Sequence, residues 1–98
     1  MYIVIMEKLR AGDILLTSEK AFTSKFIRTM TKSDYSHAIL YVGYGSYIHS
    51  DTKGVHSGNI QRLLFDNPDD IKVLRVYEPN VADLACIFAR TQIGKNIQ

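Results

Sequence analysis

The sequence predicts an α+β fold, in which a small antiparallel sheet is flanked by helices. Three observations support this fold class. Short β-prone runs follow one another between residues 36 and 77, with only turns and short connectors between them. Segments with a helical period precede and follow these runs. Hydrophobic residues make up 46% of the 98 residues, which is enough for one core and excludes a disordered chain.

The N-terminal part of the chain is predicted to contain two strands and one helix. Residues 2–6 are apolar but few, which is typical of an edge strand or an ordered extension. Residues 13–17 are β-prone and follow Gly12, so they predict a buried strand. Ser18 is a suitable N-cap for a helix over residues 19–31. The apolar face of that helix is predicted to consist of Phe22, Phe26, Ile27 and Met30.

A β-hairpin is predicted in the middle of the chain. Residues 36–43 form its first strand, because apolar side chains alternate there with the period of a strand. Gly43 and Gly45 permit the positive φ angles of a tight turn, and residues 46–50 return as the second strand. A further short strand is expected at residues 55–56, after a turn that contains a glycine.

The C-terminal part is predicted to add one more strand and one more helix. Residues 59–65 form a single helical turn or a loop, and residues 66–70 form a polar connector. Residues 71–77 read as a strand. The last helix begins with Asn80 as its cap and ends at Gly94. Its apolar face is predicted to consist of Val81, Leu84, Ala85 and Phe88.

Composition excludes several classes of partner. The net charge is +2 and no basic runs occur, so no nucleic acid and no acidic membrane surface is expected as a partner. No segment approaches the ~20 apolar residues of a membrane span. The N-terminus lacks the basic leader of a signal peptide, and the single cysteine, Cys86, excludes an internal disulfide. A reducing, cytoplasmic location is therefore expected for the sequence as given.

Two histidines are the candidate catalytic residues. A general base must lie on a rigid element, and His37 lies on a central strand. Its ring needs a second group to orient it, and His49 on the next strand is the candidate. A turn at residues 44–45 pairs position 40 with position 49, which does not guarantee that the two rings meet. A slip or bulge of a few residues would be needed to bring them together, and a turn with two glycines permits either.

Two alternatives to the catalytic interpretation stay open at this point. A histidine on a strand is often structural or exposed at the surface. A metal site is the other alternative, and its ligands would be His37, His49, Asp51 and His56. Their spacing matches no standard zinc signature, so neither a metal nor any other cofactor is predicted.

Several motifs follow one another in a fixed order along the chain. They are Ala11-Gly12-Asp13-Ile14-Leu15-Leu16, residues 32–43 with Tyr35-Ser36-His37, Tyr47-Ile48-His49-Ser50, Gly54-Val55, residues 71–76, and the helix that runs into Gln92-Ile93-Gly94-Lys95. This ordered set, which covers about residues 9–98, resembles the permuted branch of the NlpC-type papain-like hydrolases. That group includes YiiX-like proteins and relatives of lecithin retinol acyltransferase. The resemblance implies a circularly permuted papain-like fold.

The resemblance also implies a catalytic arrangement. His37 would be the general base of a cysteine-nucleophile hydrolase or acyltransferase, and His49 would orient it. The nucleophilic cysteine would follow the Ile93-Gly94-Lys95 segment, beyond Gln98. The chain is therefore expected to be one domain, residues 1–98, that forms the N-terminal part of a permuted papain-like domain and is inactive as given. Implied substrates are small peptides, other amides and acyl lipids.

The remaining candidates are weaker. Cys86 follows both histidines, as the permuted order requires, but its position about six residues after the predicted helix cap disfavours a reactive thiol. Tyr35 is a candidate oxyanion or substrate contact. The alternative function is a non-enzymatic binding module that retains the groove. Exposed apolar surface near residues 71–76 and 81–88 also predicts a homo-oligomer.

Overall fold

The computed structural model describes residues 1–18 and 37–96 of the chain. Within these ranges it contains seven strands, one α-helix and three short 3-10 turns. The strands are β1 (Tyr2–Ile3), β2 (Ile14–Thr17), β3 (His37–Gly43), β4 (Ser46–Asp51), β5 (Gly54–Asn59), β6 (Leu64–Phe65) and β7 (Ile71–Leu74). The helix, α1, spans Pro79–Gln92. The predicted helix over residues 19–31 lies outside the described residues.

Five of the strands form one antiparallel sheet in the order β5-β4-β3-β2-β7. The short strand β1 pairs with β6, so the N-terminal apolar residues do form a strand, as the sequence predicted. This antiparallel sheet with a packed helix confirms the α+β class. The described part of the chain contains no helix with the length and apolar character of a membrane span.

The two faces of the sheet pack against different partners. Ile39 and Tyr41 of β3 contact the larger core, which also contains Leu15, Tyr47, Ile60, Leu63 and Phe65. Val42 of β3 and Ile48 of β4 pack on the opposite face, where helix α1 places Cys86. Side chains of a strand alternate between the two faces, so each position on β3 and β4 is assigned to one core.

The N-cap of helix α1 is Glu78, two residues before the predicted cap, Asn80. Pro79 occupies the first turn, and the side chain of Glu78, not Asn80, accepts the capping hydrogen bond from the Asn80 backbone N–H. The helix lies close to β2 because Gly12 has no side chain there. A Cβ atom at Gly12 would collide with the side chain of Ala82.

Helix α1 contacts the sheet through small side chains. Ala82 and Cys86 are buried, whereas Val81, Leu84 and Phe88 have exposed fractions of 51%, 65% and 65%. The helix therefore packs on the sheet through its small residues, and the larger apolar residues keep most of their surface exposed. The apolar face expected from the sequence is therefore an exposed surface, as was anticipated for residues 81–88.

An ion pair joins Asp13, the residue before β2, to Arg75, the residue after β7. The carboxylate of Asp13 is 1% exposed and accepts hydrogen bonds from Nε and Nη2 of Arg75, both at 2.8 Å. The Arg10 backbone N–H also donates to Asp13. These hydrogen bonds hold the pKa of Asp13 below its ordinary value, the Arg75 contact being the largest cause. The strand predicted over 71–77 is shorter, and Arg75 lies just beyond its end.

Candidate histidine site

The histidine site depends on a β-bulge in the β3–β4 hairpin. Leu40 pairs with Ile48, and the register shifts between Tyr41 and Gly43. The prediction that position 40 pairs with His49 was therefore wrong by one residue. Since side chains alternate, a shift of one residue moves a side chain to the other face of the sheet. The bulge thus places the side chain of His49 on the face that carries His37.

The turn chemistry explains why this bulge forms. Gly43, Tyr44 and Gly45 all have positive φ angles, of 97°, 53° and 81°. Glycine adopts such angles without steric cost, and two glycines that flank one left-handed residue allow several turn geometries. The hydroxyl of Tyr41 accepts a hydrogen bond from the Gly45 backbone N–H at 2.8 Å, which holds the turn against the core.

The structure brings His37 and His49 into direct contact. Nε2 of His37 lies 2.7 Å from Nδ1 of His49, which is a hydrogen bond in which one of the two nitrogens carries the proton. The rings meet edge to face, with centroids 4.9 Å apart and planes at 80°. Both rings are carried by paired strands, so the contact is held by the sheet. The structure therefore contains the contact between His37 and His49 that the catalytic interpretation requires.

Two further side chains extend this pair along the same face. His56 on β5 lies directly opposite His49, and the two ring centroids are 4.3 Å apart. Nε2 of His56 lies 2.7 Å from Oδ2 of Asp51. We refer to His37, His49, His56 and Asp51 as the histidine cluster. The sequence paired His37 with His49 as candidate catalytic residues and grouped all four only as an alternative metal site. It did not predict that His56 contacts His49.

Electrostatics keep the centre of the histidine cluster neutral. Burial is the largest cause that lowers the pKa of His49, and the neighbouring His37 and His56 lower it further. Asp51 acts in the opposite direction on His49 but does not reverse the shift. The pKa of Asp51 is itself lowered, chiefly by its hydrogen bond with His56. At neutral pH the cluster therefore contains an uncharged His49 and an ionised Asp51.

Tyr47 closes the cluster on the side of the core. Its ring meets that of His49 edge to face, with centroids 5.1 Å apart. Gly58 lies opposite Tyr47 on β5, and a Cβ atom at Gly58 would collide with the Tyr47 ring. Burial raises the pKa of Tyr47, so the phenol stays neutral. Sequence reasoning missed this pair, although a glycine inside a strand is a signal of close approach.

Cys86 lies on the opposite face of the sheet from the histidine rings. It is buried beside Val42 and Ile48, and its thiol contacts the Tyr41 backbone oxygen at 3.7 Å. Burial is the largest cause that raises the pKa of Cys86, which keeps the thiol protonated at neutral pH. The structure does not bring Cys86 to His37. The other candidate, Tyr35, lies outside the described residues.

An open cavity of about 400 Å³, a groove rather than an enclosed space, lies between the sheet and helix α1. Its walls are mostly apolar and include Leu40, Ile48 and Val55 from the sheet and Phe88 and Ala89 from the helix. An apolar cavity of this size fits a hydrocarbon chain or an apolar side chain.

Comparisons with known protein families, curated proteins and solved structures find no match to this chain. The functional interpretation therefore depends on the geometry of the histidine cluster and on the resemblance of its motifs.

Proposed function

We propose that this chain carries the proton-transfer part of a thiol hydrolase or acyltransferase with a permuted papain-like fold. His37 is the general base and His49 orients it. The observation that carries the proposal is the 2.7 Å contact between His37 Nε2 and His49 Nδ1. A base held by a second ring on a rigid sheet has the geometry that nucleophilic catalysis needs.

The proposal assigns the proton of this contact to His37. In the active form, His37 Nε2–H donates to Nδ1 of His49, so the lone pair of His37 is on its other nitrogen, Nδ1. That nitrogen takes the proton of the attacking thiol as the sulfur bonds to the carbonyl carbon of an amide or ester. The same nitrogen then protonates the leaving amine or alcohol, and the acyl thioester passes to water or to an acceptor.

The nucleophile in this proposal is a cysteine on a segment after Lys95, as the resemblance implies. One observation supports that placement. The Val55 backbone N–H donates to the Lys95 oxygen at 2.9 Å, and the Gly94 N–H donates to the Val55 oxygen at 2.8 Å. The chain that follows helix α1 therefore runs along the edge of β5, beside His56. A continuation from this edge begins next to the histidine cluster.

The experiment that tests the proposal uses the complete reading frame of the gene. The encoded protein is labelled with a chloroacetamide probe, and labelled peptides are identified by mass spectrometry. We expect fast labelling of a cysteine after position 98 that falls by about 100-fold or more in His37→Ala. Cys86→Ser is the matched control and keeps the fast labelling. Two results contradict the proposal. One is a stop codon directly after Gln98, and the other is a labelling rate of that cysteine that does not change in His37→Ala.

A second candidate function, a binding module without catalysis, is favoured by a different observation. The cavity between the sheet and α1 is apolar and about 400 Å³ in volume. In this case an acyl chain binds in the cavity and the histidines are structural. Binding of a fluorescent fatty acid that is lost in Ala89→Phe but unchanged in His37→Ala would support the module over the hydrolase.

A further inference from the structure

We propose that His49, Asp51 and His56 form a binding site for a divalent transition-metal ion of the Zn²⁺ class. The three residues each offer one ligand atom, and these atoms lie within 4.8 Å of one another. Two imidazoles and one carboxylate are donors that Zn²⁺ accepts, whereas Mg²⁺ prefers oxygen ligands alone. The site goes beyond the proposed hydrolase function because metal binding requires no nucleophile.

The strand register fixes the three ligands relative to one another. His49 on β4 and His56 on β5 are direct partners in the antiparallel ladder. Asp51 is two residues after His49 on the same strand, so its side chain leaves the same face. Ligands on paired strands need little ordering when the ion binds. This arrangement arises from the sheet, which explains why it has none of the local spacings of a zinc motif.

The ligand atoms need only small movements to bind an ion. In a tetrahedral Zn²⁺ site, bonds of about 2.0–2.1 Å place neighbouring ligand atoms about 3.3 Å apart. The side chains of His56 and Asp51 are 42% and 37% exposed, so both can rotate toward His49. The ion replaces the hydrogen bond between Asp51 Oδ2 and His56 Nε2 with two coordinate bonds. Three protein ligands leave the fourth position open to water.

His37 does not bind the ion but contacts the ligand His49. Nδ1 of His49 is engaged by His37 Nε2 at 2.7 Å, which leaves Nε2 of His49 for the ion. A coordinating nitrogen must present a lone pair, so the proton of His49 moves to Nδ1 and donates to His37. Neutral His37 must then accept at Nε2 and carry its own proton on Nδ1.

This change of tautomer links the metal to catalysis. With its proton on Nδ1, His37 has no lone pair there to take a proton from a thiol. Metal binding at His49 therefore switches the base off, and this consequence rests on the proposed function. Removal of the metal restores the tautomer in which His37 Nε2–H donates to His49. The binding itself depends only on the three ligands.

Isothermal titration calorimetry of the 98-residue chain with Zn²⁺, and separately with Mg²⁺, tests the binding. We expect one Zn²⁺ per chain and no saturable Mg²⁺ binding. Because a lost ligand costs more than a lost outer hydrogen bond, His56→Gln and Asp51→Asn should each weaken Zn²⁺ binding by about tenfold or more. Asp66→Asn, an exposed acid outside the cluster, is the matched control and should bind as the wild type does.

Several outcomes would overturn the metal proposal. These are the absence of saturable Zn²⁺ binding, equal binding of Mg²⁺, or a Zn²⁺ affinity that is unchanged by His56→Gln. Because both replaced side chains are substantially exposed, the variants should fold, which far-UV circular dichroism verifies. ¹⁵N NMR of the imidazoles then reports the tautomer. Zn²⁺ should move the His37 proton to Nδ1. A proton that stays on Nε2 refutes the proposed effect of the metal on the His37 tautomer. The calorimetry tests metal binding independently of that effect.

Discussion

Loss of the Arg75 guanidinium should both destabilise the fold and weaken the pH dependence that Asp13 confers. Arg75→Met keeps most of the apolar stem and removes the charge that Asp13 contacts through two hydrogen bonds at 2.8 Å. Asp13 is 1% exposed, so its carboxylate is left buried without a cation. The Arg75 side chain donates to Asp13 and to the Lys8 backbone oxygen, and neither residue belongs to the histidine cluster, so we expect the effect on stability.

The size of the effect follows from the burial of the two partners. Breaking a fully buried pair costs about 3–5 kcal/mol of unfolding free energy. The Arg75 side chain is 41% exposed, so water screens and partly replaces its contact, and we expect about 2–3 kcal/mol at pH 7. The Arg10 backbone N–H still donates to Asp13 and limits the loss.

The sign of the pH dependence is the sharper test. In the wild type the folded-state pKa of Asp13 is lowered, so its contribution to stability is present above its unfolded pKa and is lost as the pH falls through the folded pKa. In Arg75→Met the largest cause of that lowering is gone. Burial, which raises the pKa, is then opposed only by the contacts with Arg10, so the folded-state pKa of Asp13 lies above its wild-type value. The stability deficit of the variant should therefore shrink as the pH falls below about 4, toward the folded-state pKa of the wild type.

Urea unfolding followed by far-UV circular dichroism at pH 7 and at about pH 3 measures both quantities. The matched control is Arg62→Met at an exposed arginine, which should change the free energy of unfolding by less than about 0.5 kcal/mol. A deficit in Arg75→Met that is below about 1 kcal/mol, or that is the same at both pH values, refutes the reasoning.

Three further predictions concern other parts of the molecule. Gly58→Ala should destabilise by about 1–3 kcal/mol in urea unfolding, because its methyl group collides with the Tyr47 ring; a change below 0.5 kcal/mol, about the scatter of neutral substitutions, argues against that contact. The exposed stripe that includes Leu84 and Phe88 should make the chain self-associate, and Leu84→Glu should abolish this in sedimentation velocity. A concentration-independent monomer in the wild type contradicts it. Ellman's reagent should react slowly with Cys86 in the native protein and fast in urea, because the thiol is buried. A fast reaction in the native protein that is lost in His37→Ala would instead make Cys86 the nucleophile.

Part of the fold follows from local signals in the sequence. The α+β class, the β3–β4 hairpin and the presence of the last helix were predicted from side-chain periods and paired glycines, although that helix begins two residues earlier than predicted. These signals act over a few residues, because backbone preferences and alternation are local properties. The same signals placed His37 and His49 on neighbouring strands and thereby identified the two central residues of the candidate site.

The contacts within the site were decided by tertiary structure. A turn with two glycines permits more than one register, and a one-residue bulge determines whether His49 points toward His37 or away from it. Only the packing of β3 and β4 between two cores selects that register. His56 meets His49 through the β4–β5 ladder, for the same reason.

The sequence by itself therefore determined the fold class, the hairpin and the residue types available for proton transfer. Tertiary structure decided which of them meet, which face of helix α1 is buried, and that Asp13 pairs with Arg75 across 62 residues. The physical reason is that local preferences act on neighbouring backbone, whereas contacts between distant side chains depend on how strands and helix pack together.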